Sequence, residues 1–204
     1  MTVTEVAPHT KTRYKVSLDG KFAFVLYKGE LSRFGIREGA ELSGDTVEEI
    51  RTRVILKRAK VYALHLLGDM DRTEAQLREK LLRGLYPEDI VSAAVEYVKS
   101  FGYLDDARYA QNIVLSRMGR KSRREIEAEL IRKGVPKEAA REALQNCYEE
   151  AGEEEAIRKI LQRKRFVPSG ASEEETRKIY GYLARKGFRY DTVRQVIQKY
   201  EDDA

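Results

Sequence analysis

Residue types that make or break covalent bonds are few in this chain, and they do not gather. His9 and His65 are its two histidines, and neither belongs to an HExxH or CxxC-type metal motif. No metal and no cofactor is expected. His65 falls in an apolar helical stretch, where a half-buried packing role is expected, and His9 in an N-terminal stretch that reads as loose. The string Gly119-Arg-Lys-Ser122 lacks the adjacent Gly-Lys, the earlier glycine and the preceding strand of a phosphate loop. Cys147 falls late in a helix as a small apolar group, with nothing nearby to activate it. Asp105 and Asp106 are adjacent, and adjacent helical residues do not face one another. They suit a helix N-cap, where a carboxylate meets free N–H groups and the positive end of the dipole. No catalytic residue is assigned, and the chain is read as a non-enzyme.

The chemistry that remains is ion pairing. RMGRKSRR at 117–124 holds Arg117, Arg120, Lys121, Arg123 and Arg124. No run of acids precedes it in its helix, so it reads as a binding cluster for phosphates or carboxylates. Arg132 and Lys133 follow one helix later, and Arg163, Lys164 and Arg165 close another. That last run is equally a good helix end, because Glu153–Glu155 open the same helix and the dipole favours this polarity. Glu154/Arg158 and Glu155/Lys159 are spaced for weak surface pairs. No tryptophan occurs, and the tyrosines and phenylalanines mostly fall at core spacing. A base-stacking platform and base-specific reading are therefore not expected. Any DNA binding would be weak, mainly to the backbone, and steeply salt-dependent.

Composition agrees with a binding role. Charged residues make up 36% of 204, with net charge +5 and a pI near 9.1. That balance suits a polyanion or an acidic protein surface without requiring either. A single cysteine forbids an intrachain disulfide and fits a reducing compartment. The opening residues lack a signal-peptide pattern, and no apolar run approaches the roughly 20 residues of a membrane span. A cytoplasmic monomer with no membrane contact is expected.

The elements that must position these charges are mostly helical. Tyr14, Val16 and Leu18 alternate with polar residues, Asp19-Gly20 is a hairpin turn, and 21–27 returns as a second strand. A third, weaker strand is predicted at 31–36, after a turn at Lys28-Gly29. Beyond Gly44 the spacing of Val47, Ile50, Val54, Val61 and Leu64 predicts a helix over 46–67. Thr73/Gln76, Ser122/Glu125 and Ser172/Glu175 are capping boxes 49 and 50 positions apart, the third in a helix that reads as starting about a turn earlier. Behind them come the apolar pairs Leu77/Leu81, Ile126/Leu130 and Ile179/Leu183, then Arg83-Gly84, Lys133-Gly134 and Lys186-Gly187. Further helices follow at 87–100, 136–148 and 191–200, with Pro87 and Pro136 suited to first helical positions and Asp191 to a cap. Helices at 106–118 and 151–165 complete the count, with glycines such as Gly119 and Gly152 as stops. The spacing predicts a mainly α chain of three tandem three-helix repeats in an elongated curved array, behind a small N-terminal antiparallel sheet. The expected domains are 1–45 for the β extension, then repeats at 46–102, 103–150 and 151–204. A repeat of this length stacks on its neighbours to bury its apolar face.

RTEAQLREKL, GYLDDARYAQ and SRREIEAELIRKGVPKEAAREAL, in that order, resemble the RecX family of recombinase regulators. The likeness covers roughly residues 50–200 and is strongest in the middle repeat. The resemblance implies tandem three-helix repeats that bind the RecA recombinase filament on DNA and restrain its ATPase, filament growth and strand exchange. It thus implies a regulator of homologous recombination and the SOS response. The alternative is a general DNA-binding architectural helical-repeat protein without a recombinase partner.

Overall fold

The computed structural model describes residues 1–118, 120–150 and 153–202. Gly119 and Gly152, expected as helix stops, lie outside the described residues. The chain divides into two compact units, Met1–Asp105 and Asp106–Ala204.

The first unit opens with a three-stranded antiparallel sheet in the order β1 (Val3–Pro8), β2 (Arg13–Leu18), β3 (Lys21–Tyr27). Asp19 and Gly20 take φ of +49° and +79°, the geometry a two-residue hairpin needs. The N-terminus is not loose. Val3 is buried and exchanges backbone hydrogen bonds with Gly39 and Ala40, and the terminal amine donates to the Leu42 carbonyl. The third strand is therefore β1, and of the residues 31–36 expected to form it, 31–33 instead end helix α1 (Lys28–Arg33) and 34–36 turn out of it. Glu30 decides this. Its carboxylate accepts the Tyr27 backbone N–H at 2.7 Å and a forked pair of bonds from Arg58 at 2.5 and 2.6 Å. Lys28-Gly29 starts the helix instead of turning the chain.

One continuous helical stretch follows: α2 (Gly44–Glu49), a π-helical segment (Ile50–Leu56) and α3 (Lys57–Asp69). Ile50 and Ile55 are buried five residues apart, the π spacing, and Ala59, Ala63 and Leu66 resume the α face. The widened turn moves the core face, so Val61, expected inside, is largely exposed. His65, expected half-buried, is exposed as well, with Asp69 at 4.0 Å. Helices α4 (Glu74–Arg83) and α5 (Glu88–Ser100) complete the triad. Sheet and triad share one core, with Val16, Phe24 and Leu26 joining Ile50, Leu77, Leu81 and Val95.

The second unit holds α6 (Asp106–Arg117), α7 (Arg123–Arg132), α8 (Lys137–Glu150), α9 (Glu153–Arg163), α10 (Glu173–Arg185) and α11 (Tyr190–Asp202). Its two triads bury one common core. Ile126, Leu130 and Leu144 join Ile157, Leu161, Leu183 and Val196, and the Tyr148 and Phe188 rings meet edge to face at 6.3 Å. All three capping boxes form, at Thr73, Ser122 and Ser172. The third corrects the expected start, because α10 begins directly after Ser172. Pro87 caps α5 from outside the helix, its carbonyl accepting from Val91, and the Pro136 carbonyl accepts from Ala140 in the same way. At α11 the cap position belongs to Arg189, whose carbonyl accepts from Val193. Asp191 already lies inside the first turn.

Candidate interface for protein and nucleic acid

The cluster at 117–124 owes its position to the cap of α7. Ser122 accepts the Glu125 N–H, and the Glu125 carboxylate accepts the Ser122 N–H at 2.7 Å. That backbone bond, helped by the Ser122 hydroxyl and by Lys186, pulls the Glu125 carboxyl down to about 2. Lys186 also donates to the Arg120 carbonyl at 2.9 Å, and Arg123 N–H donates to the Lys186 carbonyl at 3.0 Å. The end of α10 is thus clamped to the start of α7.

The cluster was expected to lack compensating acids, and the structure corrects this. Glu129, only 5% exposed, lies under the turn and meets Lys121 at 2.6 Å and Arg117 at 3.6 Å. The Lys121 hydrogen bond holds its carboxyl below the usual range. Glu129 follows the cluster in sequence, on the inward face of the next helix, so a search for preceding acids passes it by. The Arg123 guanidinium lies over the Tyr148 ring, 4.5 Å from its centroid. Arg120 and Arg124 are exposed and their side chains have no ionic partner among the described residues.

The other expected site residues fall into two groups. Arg132 projects from the last turn of α7 and Lys133 forms its C-cap. Arg163 donates to the Lys159 carbonyl at 3.3 Å, and Lys164 lies 4.0 Å from the Tyr182 ring centroid. Arg165 is exposed at φ +51°. Of the two pairs expected on α9, Glu155 does meet Lys159 at 3.6 Å, whereas Glu154 reaches Lys199 at 3.3 Å instead of Arg158.

Two features escaped the sequence reading. Phe101 and Tyr103 are 60% and 57% exposed, their rings stacked at 6.1 Å, with Tyr97 edge-on to Phe101 at 5.0 Å. The Gly102 turn at φ +70° sets this outward pair. The second is a groove of about 690 Å³ in the second unit, lined by Arg123, Arg124, Arg141, Tyr148 and Arg189 among others. No sequence spacing marks it. Among the described residues no cluster of three or more histidines, cysteines or carboxylates could hold a metal, and no helix is long and apolar enough to cross a membrane.

Comparison with known proteins follows the same three triads. Models for the first, second and third three-helix domains of RecX match residues 59–97, 105–144 and 152–197. A Regulatory protein RecX of Caldanaerobacter subterraneus subsp. tengcongensis is 31% identical over 199 residues, covering 97% of this chain and 98% of that one. The chain belongs to the RecX family. Another RecX, from Trichlorobacter lovleyi, is 35% identical over 141 residues, 67% of this chain and 92% of its own. The crystal structure of a regulatory protein RecX has a TM-score of 0.55 at 25% identity, covering 97% of this chain and 98% of that chain. A RecX structure from Lactobacillus salivarius has a TM-score of 0.60 at 22% identity over 73% of this chain and 97% of its own, a likeness of fold. The RecX relatives are regulatory proteins by name, and the small N-terminal sheet with three RecX triads is the fold seen here.

Proposed function

We propose that this RecX-family chain is a non-enzymatic, cytoplasmic regulator of homologous recombination. It binds the RecA filament on DNA and inhibits RecA ATPase, filament growth and strand exchange, as part of SOS control. What supports the reading is the run of three RecX triads along the chain, each carrying its own helix ends and surface charge. Weak contacts from linked modules add through effective concentration, so each triad needs only modest affinity. Within this reading Arg120, Arg124, Arg132 and Arg165 supply the mobile positive charge. Arg117, Lys121, Arg123, Arg163 and Lys164 are held by neighbours and contribute less, and Lys133 acts from the helix end.

The test is a titration of the protein into the DNA-dependent ATPase of RecA at low and high salt. Stoichiometric inhibition that weakens with salt is expected. No inhibition, together with equal affinity for naked and RecA-coated DNA, would replace this reading with that of an architectural DNA-binding protein.

A further inference from the structure

The groove in the second unit joins side chains from α7, α8, α9 and the start of α11. Its charges come in couples. Arg141 meets Glu127 at 3.1 Å, Arg189 meets Glu153 at 3.6 Å, and Glu154 meets Lys199 at 3.3 Å. Two guanidiniums are left over. Arg123 and Arg124 form no ion pair with a carboxylate among the described residues. Beneath Arg123 lies Tyr148, 3% exposed, whose hydroxyl is buried with no hydrogen-bond partner. Burial pushes this phenol above its ordinary range, so it keeps its proton at neutral pH and remains a donor in want of an acceptor. A buried donor of that kind is a standing cost unless something occupies it.

We infer that this groove is a docking site for an acidic side chain carried on a protein segment of mixed charge. The surplus of two guanidiniums and one phenol O–H calls for a carboxylate, which accepts from several donors at once. The three lining carboxylates exclude a nucleic-acid backbone as the better occupant. A phosphate chain brings charge at every nucleotide, more than the two unpaired guanidiniums can match, and its further phosphates would lie beside Glu127, Glu153 and Glu154 and compete for the cations those carboxylates hold. A peptide brings one carboxylate, and its neutral or basic neighbours lie comfortably against the paired acids. Both RecX triads of the unit contribute to the groove, so it exists only while their common core is intact. The inference rests on the proposed function in one respect: the segment belongs to the protein component of the filament, and the exposed Arg132 and Arg165 are left for DNA.

The test uses the full chain, with NMR observation of arginine Nε–H and tyrosine ring signals. The probes are an acetylated, amidated Gly-Lys-Gly-Glu-Gly peptide, inorganic phosphate and oligothymidylate. Saturable shifts of Arg123, Arg124 and Tyr148 with the peptide are expected, with weaker or no shifts from the other two. Arg124→Glu should lower peptide affinity about tenfold. Tyr148→Phe should weaken it severalfold while raising Tm, because it removes the orphan hydroxyl; a merely structural phenol would not couple these two changes. Groove shifts as large with oligothymidylate or phosphate, or none with the peptide at millimolar concentration, would overturn the inference. In the RecA ATPase assay, Arg124→Glu should inhibit less than wild type. Equal inhibition by the variant would remove the filament protein as occupant. If wild type itself does not inhibit, the proposed function fails and the peptide titration still decides the groove.

Discussion

Replacing Gly187 by alanine should loosen the second unit at the seam between its two triads. Gly187 has φ +89°, and an added Cβ would stand 3.3 Å from Arg123 Cβ and 3.6 Å from its backbone nitrogen. The left-handed backbone alone costs an L-residue about 1–2 kcal/mol. The contact cannot be relieved at a flexible tip, because both Arg123 atoms belong to or adjoin the main chain. Backing Arg123 away stretches its N–H bond to the Lys186 carbonyl, now 3.0 Å, and such a bond contributes about 1 kcal/mol. A loss of about 2–3 kcal/mol follows from the sum. Gly181→Ala, inside α10, is the control. Its Cβ would meet only the Arg185 guanidinium, at 3.6 Å, and a helical Gly→Ala change stabilises by about 0.5–1 kcal/mol. Urea unfolding gives the stabilities, and native-state hydrogen exchange locates the loss in α7 to α11 with β1 to α5 unaffected. A Gly187→Ala protein as stable as wild type would refute the reasoning. So would a Gly181→Ala protein that loses as much.

Three further outcomes are expected. Glu129→Ala should cost about 1–2 kcal/mol in thermal unfolding, less than a fully buried pair because Lys121 and Arg117 regain water, and should raise affinity for duplex DNA by freeing two cations. The Glu125 carboxyl is depressed to about 2 from an unfolded value near 4.5, so its contribution is complete above pH 4.5. It should fade as pH falls toward 2, a loss that an acid-unfolding series on Ser122→Ala should largely abolish. Charge reversal at Arg120, Arg132 and Arg165 together should weaken binding to RecA-coated DNA and flatten its salt dependence, by about 0.9 log units per tenfold salt for each lost phosphate contact; unchanged slopes would place DNA contact elsewhere.

The hairpin and the three capping boxes were legible because each is completed within a few residues. Asp19-Gly20 supplies both positive φ angles, and each cap hydroxyl finds its partner three residues on. Helix ends were legible only where glycine marks them. Gly134 and Gly187 hold the left-handed position after α7 and α10, but the same position falls on Leu85 after α4 and on Arg165 after α9. There the hydrogen bonds from Tyr86 to the Leu81 carbonyl and from Phe166 to Leu161 fix the turn, and the residue tolerates the strain. Strand β1 was not legible, since its partners Leu18 and Ala40 lie far along the chain. The π segment was missed because a change of period from 3.6 toward five over one turn leaves few apolar positions to read.

By itself the sequence determined the order of sheet and triads, their caps, and the family motif, because these rest on hydrogen bonds and apolar periods closed within a dozen residues. Tertiary structure alone decided which positive charges are available. Glu129 lies inward beneath Arg117 and Lys121 and offsets one of their two charges, while Arg123, Arg141, Tyr148 and Arg189 converge on one groove from two helices and a turn. Local periodicity sets the face on which a charge starts. Burial and long-range pairing set whether it stays free, and both depend on how the triads close over one core.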